Sequence, residues 1–254
     1  MKIASWNVNS LRVRLPQVLD WLETAQPDVV GLQETKLTDD KFPVEELREA
    51  GYHASFHGQK TYNGVALLSR QPAAGVRTGI EGFEDSQARV IAGSFDGVRV
   101  LNLYVPNGSE VGSDKYAYKL DWLSHMTAMV EKDLQVHDRM VVLGDFNIAP
   151  ADADVHDPDA WRDKILCSKP EREALQKLLE LGFVDSFRLF DQPAEIFSWW
   201  DYRAAGFRRN RGLRIDLLLA SKALQDKVTA SDIDREPRTW ERPSDHAPAW
   251  LTLD

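Results

Sequence analysis

The chain has 254 residues, 43% of them hydrophobic and 28% charged, with a formal net charge of −9. That length supports a substantial core, while the acidity argues against a protein that coats nucleic acid nonspecifically. The single cysteine, Cys167, excludes an internal disulfide and does not by itself make a zinc site.

Strand-like pattern starts at Lys2–Ile3, leaving no room for a signal or transit peptide, and no apolar run approaches the ~20 residues of a bilayer span. A cytoplasmic protein without a membrane partner is expected. Short apolar runs then recur along the chain: KIASWNV, DVVGLQ, GVALLSR, RVIAGSF, VRVLNLYV, MVVLG, FSWW, LRIDLLLA and APAWLTL. Asp96–Gly97 marks a tight hairpin between two of them. Three stretches read as helices. Leu11, Leu15, Val18, Leu19 and Leu22 keep helical spacing, as do Leu120, Leu123, Met126 and Val130. A third helix opens with a Ser168…Glu171 capping box around Pro170 and stops at Gly182.

No internal repeat or long linker interrupts residues 1–254, so one domain is expected. Many strands with a few amphipathic helices predict two face-to-face sheets covered by helices, an α/β sandwich. The glycine signatures of dinucleotide-binding and P-loop folds are absent, as is the catalytic-serine elbow.

Several apolar runs carry a polar residue at or near their end: Asn7, Glu34, Tyr104, Asp145 with Asn147, and Asp216. Asp245 and His246 precede the last run. Loops at one end of a sandwich gather together, so these residues are candidates for a single pocket. Crowded carboxylates repel and take up protons unless a cation holds them. Oxygen donors without a cysteine or histidine framework favour Mg²⁺, with Mn²⁺ as a substitute, and Mg²⁺ on carboxylates points to phosphoester chemistry. Asp216 lies in a strongly apolar run and needs a partner, for which His246 is the candidate. Singly, each residue also reads as a cap or a turn.

Taken in order, SWNVNSLR (5–12), PDVVGLQETK (27–36), NLYVPNG (102–108), LGDFNIAP (143–150), NRGLRIDLLLAS (210–221) and RPSDHAP (242–248) resemble the exonuclease III family of the endonuclease/exonuclease/phosphatase superfamily. The resemblance runs essentially end to end and implies a four-layer, DNase I-like fold of two mixed sheets flanked by helices. It implies a Mg²⁺-dependent repair nuclease acting on double-stranded DNA: 3′-to-5′ exonuclease, 3′-end phosphatase or phosphodiesterase, and abasic-site endonuclease. It also implies site roles. Glu34, Asn7 and Asp245 would serve the metal, and Asp145 would orient or deprotonate water. Asn147 would donate to the phosphate, Asp216 would hold His246, and Tyr104 and Asn107 would contact the phosphate. Trp199, Leu213 and Ile215 would line an abasic-sugar pocket. Arg89, Arg208, Arg209, Arg211 and Lys115 would meet the DNA backbone, the arginines of 208–211 falling in the strongly basic stretch RRNRGLR.

Asn9 departs from the acid some relatives carry, and the acidic segment 151–168 is a long connection in which Trp161 or Leu166 would act as a wedge. A monomer without an obligate protein partner is expected. Two other readings stay open from sequence: a superfamily phosphodiesterase or phosphatase acting on a small molecule or lipid head group, and a non-catalytic damaged-DNA-binding protein.

Overall fold

A computed structural model describes residues 1–254. Its strands are β1 (Lys2–Asn7), β2 (Val29–Gln33), β3 (His53–His57), β4 (Val65–Ser69), β5 (Ala74–Thr78), β6 (Val90–Phe95), β7 (Val98–Tyr104) and β8 (Met140–Asp145). They continue with β9 (Phe183–Asp185), β10 (Trp199–Trp200), β11 (Gly212–Leu213), β12 (Asp216–Ser221), β13 (Val228–Ile233) and β14 (Ala249–Leu253). The helices are α1 (Leu11–Ala25), α2 (Val44–Glu49), α3 (Asp114–Leu134), α4 (Pro158–Trp161), α5 (Lys169–Leu179) and α6 (Lys222–Gln225). None is long and apolar enough to cross a membrane.

Two mixed six-stranded sheets form the centre, ordered β13-β14-β1-β2-β4-β3 and β5-β6-β7-β8-β12-β9. Ile3, Val29, Leu67, Ile91, Leu143, Leu218 and Leu251 fill the space between them. Trp6, Val30 and Leu32 face outward from the first sheet onto Leu11, Val18 and Leu22 of α1. Leu101, Val142 and Leu217 face outward from the second onto Trp122 and Met126 of α3 and Leu175 of α5. The result is the expected helix–sheet–sheet–helix sandwich. Because interior strands are covered on both faces, they read as continuous apolar runs rather than alternating ones. Asp96 and Gly97, at φ 47° and 79°, make the two-residue turn between β6 and β7.

The strands without a counterpart in the sequence reading are β3, β5, β9 and β13, and these are the four sheet edges. Edges are partly solvated, so HASFH and AGVRT lack the apolar density that marks a buried strand. The run LRIDLLLA, expected as one strand, divides in two. Leu213 pairs with Trp199 of β10, whereas Asp216 pairs with Asp145 of β8. Between them Arg214 turns inward, 1% exposed, onto Asp154 and Asp185.

The sheets dock through more than apolar side chains. A Cβ on Gly31 would lie 2.4 Å from Leu143 Cδ1 and 2.8 Å from Asn102 Cγ, so only glycine allows this approach. Beside it, Gln33 Nε2 donates to Ser5 Oγ (3.0 Å) and to Asn102 Oδ1 (2.7 Å), and Asn102 Nδ2 donates back across the gap to Leu32 O and Ala66 O.

Candidate active site

Strand register gathers the polar residues. β1 and β2 run parallel and end together at Asn7 and Gln33, with Glu34 next in a left-handed turn at φ 52°. β7 and β8 are also parallel and set Tyr104 beside Asp145, while antiparallel β12 sets Asp216 on the other side of Asp145. His246 enters from the segment before β14, bridged to Trp199. Both sheets therefore contribute. Asn9, Glu34, Lys36 and Asn147 all take positive φ, a strained state for side-chain-bearing residues that a surrounding hydrogen-bond frame must hold.

His246 is buried, and its Nδ1 lies 2.8 Å from Asp216 Oδ2, as expected for the pair, while Nε2 lies 3.7 Å from Asp145 Oδ2. Burial alone would lower the imidazole pKa, but Asp216 and then Asp145 outweigh it and raise it to about 10. That balance favours the imidazolium, with Nε2 facing Asp145. Burial lifts the Asp145 carboxyl well above the usual carboxylate range, opposed by the His246 charge and by the hydrogen bond from Asn7. Burial and the nearby carboxylates Glu34 and Asp145 hold the Tyr104 phenol well above its ordinary pKa, keeping it a donor.

Asn7 Nδ2 donates to Glu34 Oε1 and to Asp145 Oδ2, both at 2.9 Å, and its Oδ1 accepts from Asn9 N. It presents its N–H groups to the two carboxylates and clamps them together. Asp245 is likewise held by side-chain donors. One oxygen accepts from Asn9 Nδ2 and the other from Trp199 Nε1, each at 3.0 Å. Burial would raise its pKa, but His246 and these two donors hold it below the usual range.

Glu34, Asp145 and His246 place ligand-type atoms within 4.8 Å of one another. His246 is committed to Asp216 and charged, which leaves the two carboxylates. Glu34 is the more open, its Oε2 held by Lys36 at 2.9 Å. Asp145 is a buried carboxylate whose charge burial opposes. An all-oxygen donor pair suits a hard divalent cation.

The chain matches the Endonuclease/Exonuclease/phosphatase family over residues 4–246. Across 98% of both chains it is 40% identical to the exodeoxyribonuclease III of Haemophilus influenzae. The chain belongs to the exonuclease III family. Its fold superposes with a TM-score of 0.98 on a 3′ phosphatase from Neisseria bound to a product DNA hairpin, at 47% identity over 100% of this chain and 99% of that one. An AP endonuclease from Archaeoglobus fulgidus superposes at 0.96, with 38% identity and the same coverage.

In this member of the exonuclease III family the residues expected at DNA divide into two groups. Arg208, Arg209, Arg211 and Lys115 are exposed. Arg89 is buried instead, stacked over Tyr104 and donating to Tyr104 O (3.1 Å) and Gln87 Oε1 (2.8 Å), so it supports the phenol. Asn107 Nδ2 donates to Asn147 Oδ1 at 3.2 Å. A polar cavity of about 370 Å³ opens beside Tyr104 and Asn107 and includes Arg89, Lys115 and Tyr62 in its wall. Leu213 and Ile215 are fully buried with Val155, Leu166 and Cys167, and Trp199 packs against this cluster. Two of the three expected pocket walls, Leu213 and Ile215, are therefore covered by segment 151–168, while Trp199 stays partly exposed. Leu166, expected as a wedge, is a core residue at 4% exposure, whereas Trp161 stays half-buried.

Several supporting residues escaped the sequence reading. Ser198 Oγ accepts from the backbone N–H of Ile215 and Asp216, and Ser244 Oγ donates to Asn7 O. Lys119 and Glu171 form an ion pair with 0% exposure on either side. A lysine three residues after Tyr116 and four before Leu123, on an apolar helix stripe, was the available signal.

Proposed function

We propose that the chain is a Mg²⁺-dependent DNA repair nuclease that hydrolyses phosphoesters of duplex DNA at 3′ ends and at abasic sites. The observation that carries this is the Asp216–His246–Asp145 array beside Glu34, at the ends of strands from both sheets. On this reading residues 1–254 work as one domain, since neither sheet alone supplies the site.

Glu34 and Asp145 are the residues that would hold the cation. When bound, it supplies positive charge that draws in the phosphate and offsets the charge accumulating on its oxygens. The chain's own groups do the rest. Asp145, buried beside Glu34 and His246, accepts the proton of the attacking water. His246, kept protonated by Asp216, donates through Nε2 to a phosphate oxygen. An amide NH₂ has two donors. Asn147 spends one on Val105 O (3.0 Å) and Asn107 spends one on Asn147, so each retains one N–H for the phosphate. The Tyr104 hydroxyl adds a further donor.

The relatives support DNA as the substrate, one being a 3′ phosphatase with a DNA product and another an AP endonuclease. Leu213 and Ile215 pack beneath segment 151–168, so on this reading the segment shifts to admit an abasic sugar. The test uses one duplex ending in a 3′-phosphate and another with an internal abasic analogue, each with Mg²⁺ or EDTA. Mg²⁺-dependent release of phosphate with slower internal incision is the expected result. Inactivity on both duplexes would overturn the assignment in favour of a small-molecule phosphodiesterase.

A further inference from the structure

We infer that Lys119 is a positioning residue for the two phosphate-facing asparagines, holding both backbones with one buried ammonium and joining them through Glu171 to the end of segment 151–168. This rests on the proposed roles of Asn107 and Asn147. Lys119 Nζ donates to Asn107 O (3.1 Å), to Asn147 O (2.7 Å) and to Glu171 Oε1 (2.5 Å). An ammonium has three protons, and all three are used. Glu171 is equally committed: Oε1 also accepts from Leu166 N, and Oε2 accepts from Ser168 N and Ser168 Oγ.

Such a pair is an expensive way to fill a core. Two charges have left water, and replacing a buried pair with apolar residues is often neutral or stabilising. The neighbours on the same helix, Tyr116, Trp122, Leu123 and Met126, show what the layer otherwise holds. What an apolar side chain does not supply is a donor for two inward-pointing loop carbonyls. Asn147 is in a left-handed turn at φ 49°, and Gly108 passes so close that a Cβ there would lie 3.1 Å from Lys119 Cδ. The side chains of Asn107 and Asn147 are bonded to each other, so rotating either peptide swings both free N–H groups away from the phosphate. Lys119 touches no substrate in this arrangement and acts through the backbone.

The test is kinetic and uses the full chain with Mg²⁺ on the 3′-phosphate duplex. Lys119→Met is expected to lower kcat about 10²-fold, the loss that ~1 Å of misplacement brings, with KM nearly unchanged. In a background carrying both Asn107→Ala and Asn147→Ala the same substitution should cost little more, because both groups it positions are gone. If Lys119→Met does not fold, Lys119→Met with Glu171→Gln removes both charges and is read the same way. Wild-type kcat in the folded variant, or a full second loss on top of Asn107→Ala with Asn147→Ala, would overturn the inference and leave the nuclease assignment standing. Wild-type turnover in Asn147→Ala alone would overturn the role of Asn147, and this inference with it.

Discussion

Asp145→Asn separates proton transfer from architecture. In the native site Oδ1 accepts from Asn147 N and Oδ2 from Asn7 Nδ2, both at 2.9 Å. An amide at position 145 keeps one acceptor and turns a donor toward a donor on the other side. That mismatch costs about 1–3 kcal/mol. Burial already opposes the native charge, and neutralising it returns part of this amount. With roughly 2–4 °C per kcal/mol for a chain of this size, Tm should fall by less than ~10 °C. The rate should fall much further, by about 10²–10⁴-fold, because the proton acceptor and one cation-holding carboxylate are lost together. Single-turnover cleavage of the 3′-phosphate duplex with saturating enzyme reads the rate, and fluorescence anisotropy reads binding. Turnover at the wild-type rate would refute the role of Asp145. A rate loss matched by an equal loss of DNA affinity would show that Asp145 serves binding instead.

Adding Mg²⁺ should raise Tm in the wild type and do so less in Glu34→Gln, while EDTA abolishes turnover; a thermal scan with and without the ion checks both halves. Gly144→Ala should destabilise the fold and slow cleavage together, since its Cβ would sit 1.9 Å from Leu103 O, immediately before Asp145. Urea unfolding and kcat measure this, and a wild-type midpoint would refute it. Burial pushes the Cys167 thiol up to about 12 from an ordinary value of 9. Below pH ~9 the thiol is neutral whether folded or not, and its contribution is fully present. From about pH 9 toward 12 the unfolded chain releases the proton that the folded chain retains, so stability falls across that window. Native labelling with a thiol reagent at pH 8 should be far slower than labelling in denaturant, and equal rates would refute the burial argument.

The sequence disclosed what burial makes repetitive and hid what is decided by a single neighbour. Eight of the strands inside the two sheets announce themselves through continuous apolar runs, and the four edges do not, because water covers part of them. Asp216 was legible as half of a pair since an unpartnered carboxylate in RIDLLL is costly, and His246 is where that reasoning placed its partner. Asn7 and Asp245 were legible as members of the site, but the hydrogen bonds that hold them were not. Whether an amide offers its oxygen or its N–H depends on Asn9, two residues on, and whether a carboxylate is free depends on an indole 46 positions away. The arginine stretch shows the same limit, for Arg214 belongs to the core and Arg208, Arg209 and Arg211 to the surface. Periodicity cannot separate them, because the aspartates that draw Arg214 inward lie at 154 and 185.

The seam between the sheets has a consequence for the cell. Glu34 and Asn7 belong to one sheet, and Tyr104, Asp145 and Asp216 to the other. A slip of one residue along a strand is about 3.3 Å, enough to part Asp145 from Asn7. The lock at Gly31, Gln33 and Asn102 forbids that slip. A nascent or half-unfolded chain with only one sheet in place therefore carries no working blade, and cutting power arrives only with the finished sandwich. For a nuclease, that makes complete folding the safety catch.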